Sequence, residues 1–171
     1  MVKFRQGEEW DVKQIIDISK EYINREARHE NGSFLIRELV IDDVREHIHE
    51  FYVAVHKDMI VGYVWINDSY PKLRREHTKF NESADLSNVV YIKQVAVQSA
   101  FARKGIASGL YDYLRENNSG KSLVACVAIE PMKNEPSILF HENKGFRQIG
   151  VLSLHDYMQF NLYRAVLFLL D

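Results

Sequence analysis

A single cysteine in 171 residues excludes an internal disulfide. That residue, Cys126, falls in the apolar run Ser122 to Ile129, where a buried reduced thiol on a strand is expected. Charge of one sign is also missing. The chain has 22 Lys and Arg against 24 Asp and Glu, a formal charge of −2, so its electrostatics call for neither nucleic acid nor an anionic membrane as partner. The longest apolar stretch, Ala165 to Leu170, is far short of the about 20 residues that a spanning helix needs. The opening MVKFRQGEEWD lacks the apolar core of a secretory signal, and a cytoplasmic location is expected. No repeat, low-complexity tract or Pro/Gly-rich linker divides the chain, so residues 1–171 read as one domain. His47 and His49 are two apart on an expected helix and point to different sides, so no metal site is expected. No Ser/His/Asp spacing suggests a hydrolase. There is no G-x-x-x-x-G-K-S/T loop, and Gly105 with Gly109 does not make a dinucleotide fingerprint.

The patterned segments alternate between helix and strand periods. Val2 to Arg5 reads as a first strand and Trp10 to about Arg28 as a helix, followed by a polar loop with Asn31-Gly32. Ile41 to Glu50 reads as a second helix. Phe51 to Val55 and Met59 to Ile66 read as a hairpin around His56-Lys57-Asp58. Asn67 to Asn88 is a long polar connection with a short helix within Leu73 to Phe80, and a connection of that length often serves function. Ser122 to Ile129 is a strand and Pro136 to Asn143 a helix stopped by Gly145. Phe146 to Leu152 and Tyr157 to Leu169 form a closing hairpin.

The most informative run is VVYIKQVAVQSAFARKGIASGLYDYLREN, Val89 to Asn117. Val89 to Ile92, continued by Val95-Ala96-Val97, suits a strand covered on both faces. A turn with Arg103, Lys104 and Gly105 leads into a helix whose apolar stripe is Ile106, Leu110, Tyr113 and Leu114. A helix start made of small residues leaves amide N–H groups uncovered at the positive end of the helix dipole, with two cations beside it. Such a turn can bind phosphate; alone, it suits a solvated basic helix start better.

VAVQSAFARKGIASGL resembles the acyl-CoA-binding segment of GNAT-type N-acetyltransferases, whose pattern is Arg/Gln-x-x-Gly-x-Gly/Ala. Gly105 and Ala107 match that pattern, and Ala102 stands where the family places Arg or Gln. NEPSILFHENKGF, Asn134 to Phe146, resembles the later family motif in which Asn precedes a helix ending in Gly-Phe; His141 stands where many members have Tyr. The resemblance implies an α/β (α+β) fold: a single mixed, splayed β-sheet of about seven strands flanked by about four helices, opened between the strands bearing Val95 and Cys126. It also implies acetyl-CoA as cofactor and transfer of its acetyl group to a primary amine by direct attack in a ternary complex. Backbone groups of Val95, Ala96 and Val97 would meet the pantetheine. The turn from Ala102 through Arg103, Lys104, Gly105, Ile106 and Ala107 to Ser108 would hold the pyrophosphate. Asn134, Ser137 and Phe140 would line the cofactor's arm, and His141 would protonate the departing thiolate. For the general base the sequence offers Glu76, Glu82, Asp85 and Glu130 without choosing among them. The acceptor the resemblance implies is a small-molecule or peptide amine. Acids in the 67–88 connection could attract a cationic amine, and Tyr63, Trp65 and Tyr70 read as core or acceptor pocket. A homodimer is left open, and the alternative function is an acyl-CoA-binding sensor without turnover.

Overall fold

The structure, a computed structural model, describes residues 1–23 and 34–171. Its elements in chain order are β1 (Lys3–Gln6), α1 (Val12–Lys20), α2 (Ile41–Glu46), β2 (Phe51–His56), β3 (Met59–Asn67), α3 (Lys72–Glu76) and β4 (Thr78–Phe80). They continue with β5 (Val89–Val97), α4 (Ile106–Asn117), β6 (Ser122–Glu130), α5 (Glu135–Asn143), β7 (Arg147–Tyr157) and β8 (Phe160–Leu170). The strands hydrogen-bond as one mixed sheet in the order β1-β2-β3-β5-β6-β8-β7-β4. The described contacts group the chain into two compact units. One holds residues 1–23, 34–66 and 93–119, and the other 67–92 and 120–171.

In the first unit, α1 places Val12, Ile15 and Ile16 at helical spacing and buries them against Phe51, Val53, Tyr63 and Trp65. Phe51 is fully buried, and truncating such a ring to alanine costs about 3–5 kcal/mol. β1, β2 and β3 form an antiparallel meander. Lys57 and Asp58 both take positive φ, the geometry of a two-residue turn that matches strand twist. The expected helix at 10–28 is a short 3-10 turn, Glu9–Asp11, followed by α1; its remainder and Asn31-Gly32 fall outside the described residues. The expected helix at 41–50 is α2 plus a 3-10 turn, Ile48–Glu50.

In the second unit, the first four residues of β5 pair in parallel with β6, from Val89↔Ser122 to Ile92↔Ala125. β6 pairs antiparallel with β8, and β8 with β7. Tyr91, Val124, Ile149, Leu167 and Leu169 make its core. Among the described residues the sheet has eight strands, close to the about seven expected; the added one arises because the segment expected as a short helix within 73–80 splits into α3 and β4. β4 lies on β7, where a Cβ on Gly150 would come within 2.8 Å of the Lys79 carbonyl, so only glycine permits that approach. The last hairpin is longer than expected: residues 153–156 continue β7, and the turn falls at Met158. No helix among the described residues is long and apolar enough to cross a membrane.

Candidate active site

The end of β5 and the turn after it form a backbone-lined cradle in the first unit. A 3-10 turn, Ser99–Phe101, follows β5, with Phe101 N–H on Gln98 O and Ala102 N–H on Ser99 O. Arg103 takes φ +60° and Gly105, the N-cap of α4, takes φ +77°. A Cβ at Gly105 would meet nothing within 4 Å, so the space above it is open. The first intrahelical bond runs from Gly109 N–H to Gly105 O at 2.9 Å. The amides of Ile106 and Ala107 therefore have no carbonyl behind them in the helix. The first turn of α4 carries no acidic residue, and Arg103, Lys104 and Gly105 are exposed. Lys104 is tethered: its Nζ donates to Ala100 O at 3.0 Å and lies 4.9 Å from the Phe101 ring centroid. Ile106 is buried and anchors the turn to the core. A helix start whose leading residues, Arg103, Lys104 and Gly105, are exposed and bring two cations beside the free amides can take an anion.

Side chains from elsewhere in this unit brace β5. The Tyr22 hydroxyl donates to Val97 O, and Glu21 accepts Ser99 N–H at 2.8 Å. One acceptor site of the Val97 carbonyl is therefore already used, which narrows the backbone offered by Val95, Ala96 and Val97. Ala96 is buried, while Val95 and Val97 are half-buried. Tyr63 donates to Gln94 Oε1 at 2.6 Å, and Gln94 Nε2 donates to Arg37 O at 3.0 Å. Lys93 Nζ sits 3.4 Å from the centroid of the Trp65 ring and 3.7 Å from Glu50 Oε2. Burial lowers the Lys93 pKa against the pull of Glu50. Trp65 Nε1 donates to the same Glu50 oxygen at 2.8 Å. Glu50 is thus a carboxylate held beside β5. No local pattern points to it, because it is far from β5 in the chain and closes a 3-10 turn. Tyr63 and Trp65 are core residues, and so is Tyr70 in the other unit.

The second unit holds the α5 motif. Asn134 is the N-cap of α5, its Oδ1 accepting Ser137 N–H at 3.3 Å, which is the capping work expected of an Asn before a helix. Phe140 is half-buried. His141 departs from the expected role. It is 2% exposed, stacked on Phe168 at 5.3 Å and edge-on to Phe146 at 5.0 Å. Its Nδ1 donates to Ser137 O at 2.7 Å. Burial pushes its pKa down to about 4, so it has no spare proton to give at neutral pH. That geometry makes His141 a packing residue and argues against a proton donor. The four acids offered as base are engaged within this unit. Glu130 pairs with Arg164, Glu82 with Arg147 and Glu76 with Lys72, while Asp85 accepts Ser87 N–H. Cys126 is free and half-buried, its thiol pKa raised by burial. His47 Nδ1 donates to Asp43 O, and among the described residues no group of three or more His, Cys, Asp or Glu is placed for a metal.

Solved structures share this architecture throughout. An N-acetyltransferase from Staphylococcus aureus Mu50 superposes with a TM-score of 0.66 at 19% identity, covering 100% of this chain and 98% of the other. NAA60 of Arabidopsis thaliana in complex with acetyl-CoA gives 0.67 at 17% identity, with 99% of each chain covered. YncA of Salmonella typhimurium, a putative acetyltransferase with its cofactor acetyl-CoA, gives 0.67 at 18%, covering 99% and 93%. These likenesses define the class: the fold is that of the acetyltransferases. A search of curated proteins found no match. The profile of the acetyltransferase (GNAT) family matches residues 12–146, and the chain belongs to that family.

Proposed function

We propose that residues 1–171 act as one catalytic domain that moves the acetyl group of acetyl-CoA to a primary amine by direct attack, without an acyl-enzyme. The observation that carries this reading is the open cradle at Gly105, with free space above a left-handed N-cap and no acid in the first turn of α4. The amides from Arg103 to Ser108 would hold the pyrophosphate, with Arg103 and Lys104 adding charge. Backbone groups of Val95 and Ala96 would meet the pantetheine and the developing oxyanion. The amine nitrogen attacks the thioester carbon, the C–S bond breaks, and the amine proton must leave. An alkylamine with a pKa near 10.4 needs about 4–5 kcal/mol to lose its proton at pH 7. Glu50, held beside Lys93, is the base in this reading, acting directly or through water, and the departing thiolate takes its proton from solvent. The other reading, an acyl-CoA-binding module without turnover, is favoured by Ala102 and by the burial of His141.

Calorimetric titration with acetyl-CoA, beside CoA and ATP, tests the cradle on wild type, Gly105→Ala and Gly105→Glu. The alanine variant carries the same left-handed strain, about 1 kcal/mol, without charge. Saturable acetyl-CoA binding in wild type and Gly105→Ala, weakened at least tenfold in Gly105→Glu, is expected. No saturable binding to folded protein, or equal binding by all three, overturns the assignment. Release of free thiol with an amine present then separates the enzyme from the module.

A further inference from the structure

Arg74 on α3 brings a half-buried guanidinium into the second unit among tyrosines. Its Nη2 donates to the Tyr157 hydroxyl at 2.9 Å. Its Cζ lies 5.5 Å from the centroid of the Tyr157 ring and 5.9 Å from that of Tyr91. Tyr163 and Cys126 also lie within reach of its charge. The short helix is tied down: Thr78 Oγ1 donates to Arg74 O at 2.7 Å and meets the Tyr70 hydroxyl at 3.1 Å. Arg5, Arg37, Arg45, Arg147 and Arg164 each bond a carboxylate, whereas no carboxylate among the described residues bonds Arg74. Burial raises the pKa of Tyr70, Tyr91, Tyr163 and Cys126, so at neutral pH these neighbours supply dipoles and no negative charge. Arg74, Tyr157 and Cys126 reach solvent, while Tyr91 and Tyr163 are buried behind them.

We propose that Arg74, with Tyr91, Tyr157 and Tyr163, is a receptor for the carboxylate of an organic acid. A guanidinium fork matches a carboxylate in shape. One cation balances one negative charge, which suits a carboxylate better than a phosphate dianion. The phenol hydroxyls can turn to donate to the incoming oxygens, and their rings offer apolar walls to its stem. The carboxylate has two sources. It belongs to the acceptor amine, which rests on the acetyltransferase reading, or to a separate acid.

Benzoate and its neutral isostere benzamide are the probes, titrated by calorimetry in the absence of acetyl-CoA, so the result stands apart from the acetyltransferase reading. Benzoate is expected to bind wild type and Arg75→Gln saturably, Arg75 being an exposed neighbour on the same helix. Arg74→Gln should weaken benzoate at least tenfold, and benzamide should bind at least tenfold more weakly than benzoate. Equal binding of the two probes, unchanged benzoate binding by Arg74→Gln, or no saturable binding to folded wild type overturns the proposal. If Arg74→Gln does not fold, Arg74→Lys, which keeps the charge and loses the fork, is expected to weaken benzoate at least fivefold; unchanged affinity overturns the proposal equally. With acetyl-CoA present, phenylalanine and phenethylamine separate the sources. A KM that rises in Arg74→Gln for phenylalanine alone assigns the carboxylate to the acceptor. Arg74-dependent benzoate binding with acetylation of phenethylamine alone assigns it to a separate acid.

Discussion

Arg5 and Arg74 carry the same guanidinium into partly buried settings in different units, and the chain treats them in opposite ways. Arg5 is gripped by the Asp11 carboxylate through two bonds, of 2.6 and 2.9 Å, and Glu8 stands 3.2 Å away. Asp11, 1% exposed, also accepts Glu8 N–H, so it ties β1 to the start of α1. Arg74 has phenols where Arg5 has carboxylates. Taking an ion out of water costs several kcal/mol even after relaxation. A hydrogen bond to a charged group returns about 1.5–3 kcal/mol and each cation–π contact about 0.5–2 kcal/mol. The tyrosine shell thus roughly offsets burial and leaves the charge uncancelled. His141 shows a third solution, since it stays buried by giving up its proton. A base neutralised from within holds the fold; a base left charged is available to a ligand.

The largest effect belongs to the pair that the chain closes itself. Removing one partner of a buried ion pair costs about 3–5 kcal/mol because the other charge is stranded. Arg5 is 34% exposed, can turn partly to water and keeps Glu8 at 3.2 Å, so its charge is only partly stranded, which puts Asp11→Ala near the low end, about 3 kcal/mol. Urea unfolding of the variant measures it. A loss below about 1 kcal/mol, the range of surface pairs, would mean that Arg5 and Asp11 do not differ from an exposed bridge and the comparison fails.

His141 gives the next effect, through pH. Its folded pKa of about 4 lies below the unfolded value near 6.5, so between those limits the unfolded chain binds more protons and stability rises with pH. The stabilisation is full above pH 6.5 and is lost as pH falls toward 4. Between pH 8 and pH 5 this one group accounts for about 2 kcal/mol. His141→Phe keeps the ring and removes the proton, so subtracting its stability profile from that of wild type isolates the contribution. Parallel profiles from pH 8 to 5 would show that His141 is not neutral and buried, and would reopen it as a proton donor.

What the sequence shows clearly is what is local. The strand, turn and helix around Gly105 lie within 29 consecutive residues, and the Asn134 cap and Gly145 stop bracket α5 within a dozen. β4 has only three residues, TKF, with Thr78 alone buried, and it exists because β7 accepts it. The isolated glycine at 150, inside an apolar strand pattern, was its one local trace. The burial of His141 is hidden for the same reason: its helix position is local, but Phe168, which covers it, is on another strand. Tyr91, Tyr157 and Tyr163 meet Arg74 from three strands, and no spacing announces that meeting. Glu50 reaches Lys93 across 43 positions.

The smallest effect decides the comparison. Replacing a buried ion by an apolar side chain of similar volume is often neutral or stabilising, since the desolvation cost disappears with the charge. Arg74→Met fills much of the same space, and the Tyr157 hydroxyl it releases is half-buried and can bond water. Its unfolding free energy should therefore lie within about 1 kcal/mol of wild type, in either direction. Set beside a loss of about 3 kcal/mol for Asp11→Ala, that near-neutrality would mean that stability does not explain an arginine at position 74. A loss above about 2 kcal/mol would show instead that the phenols and Arg74 stabilise each other as Arg5 and Asp11 do, and the carboxylate receptor would become one more internal contact.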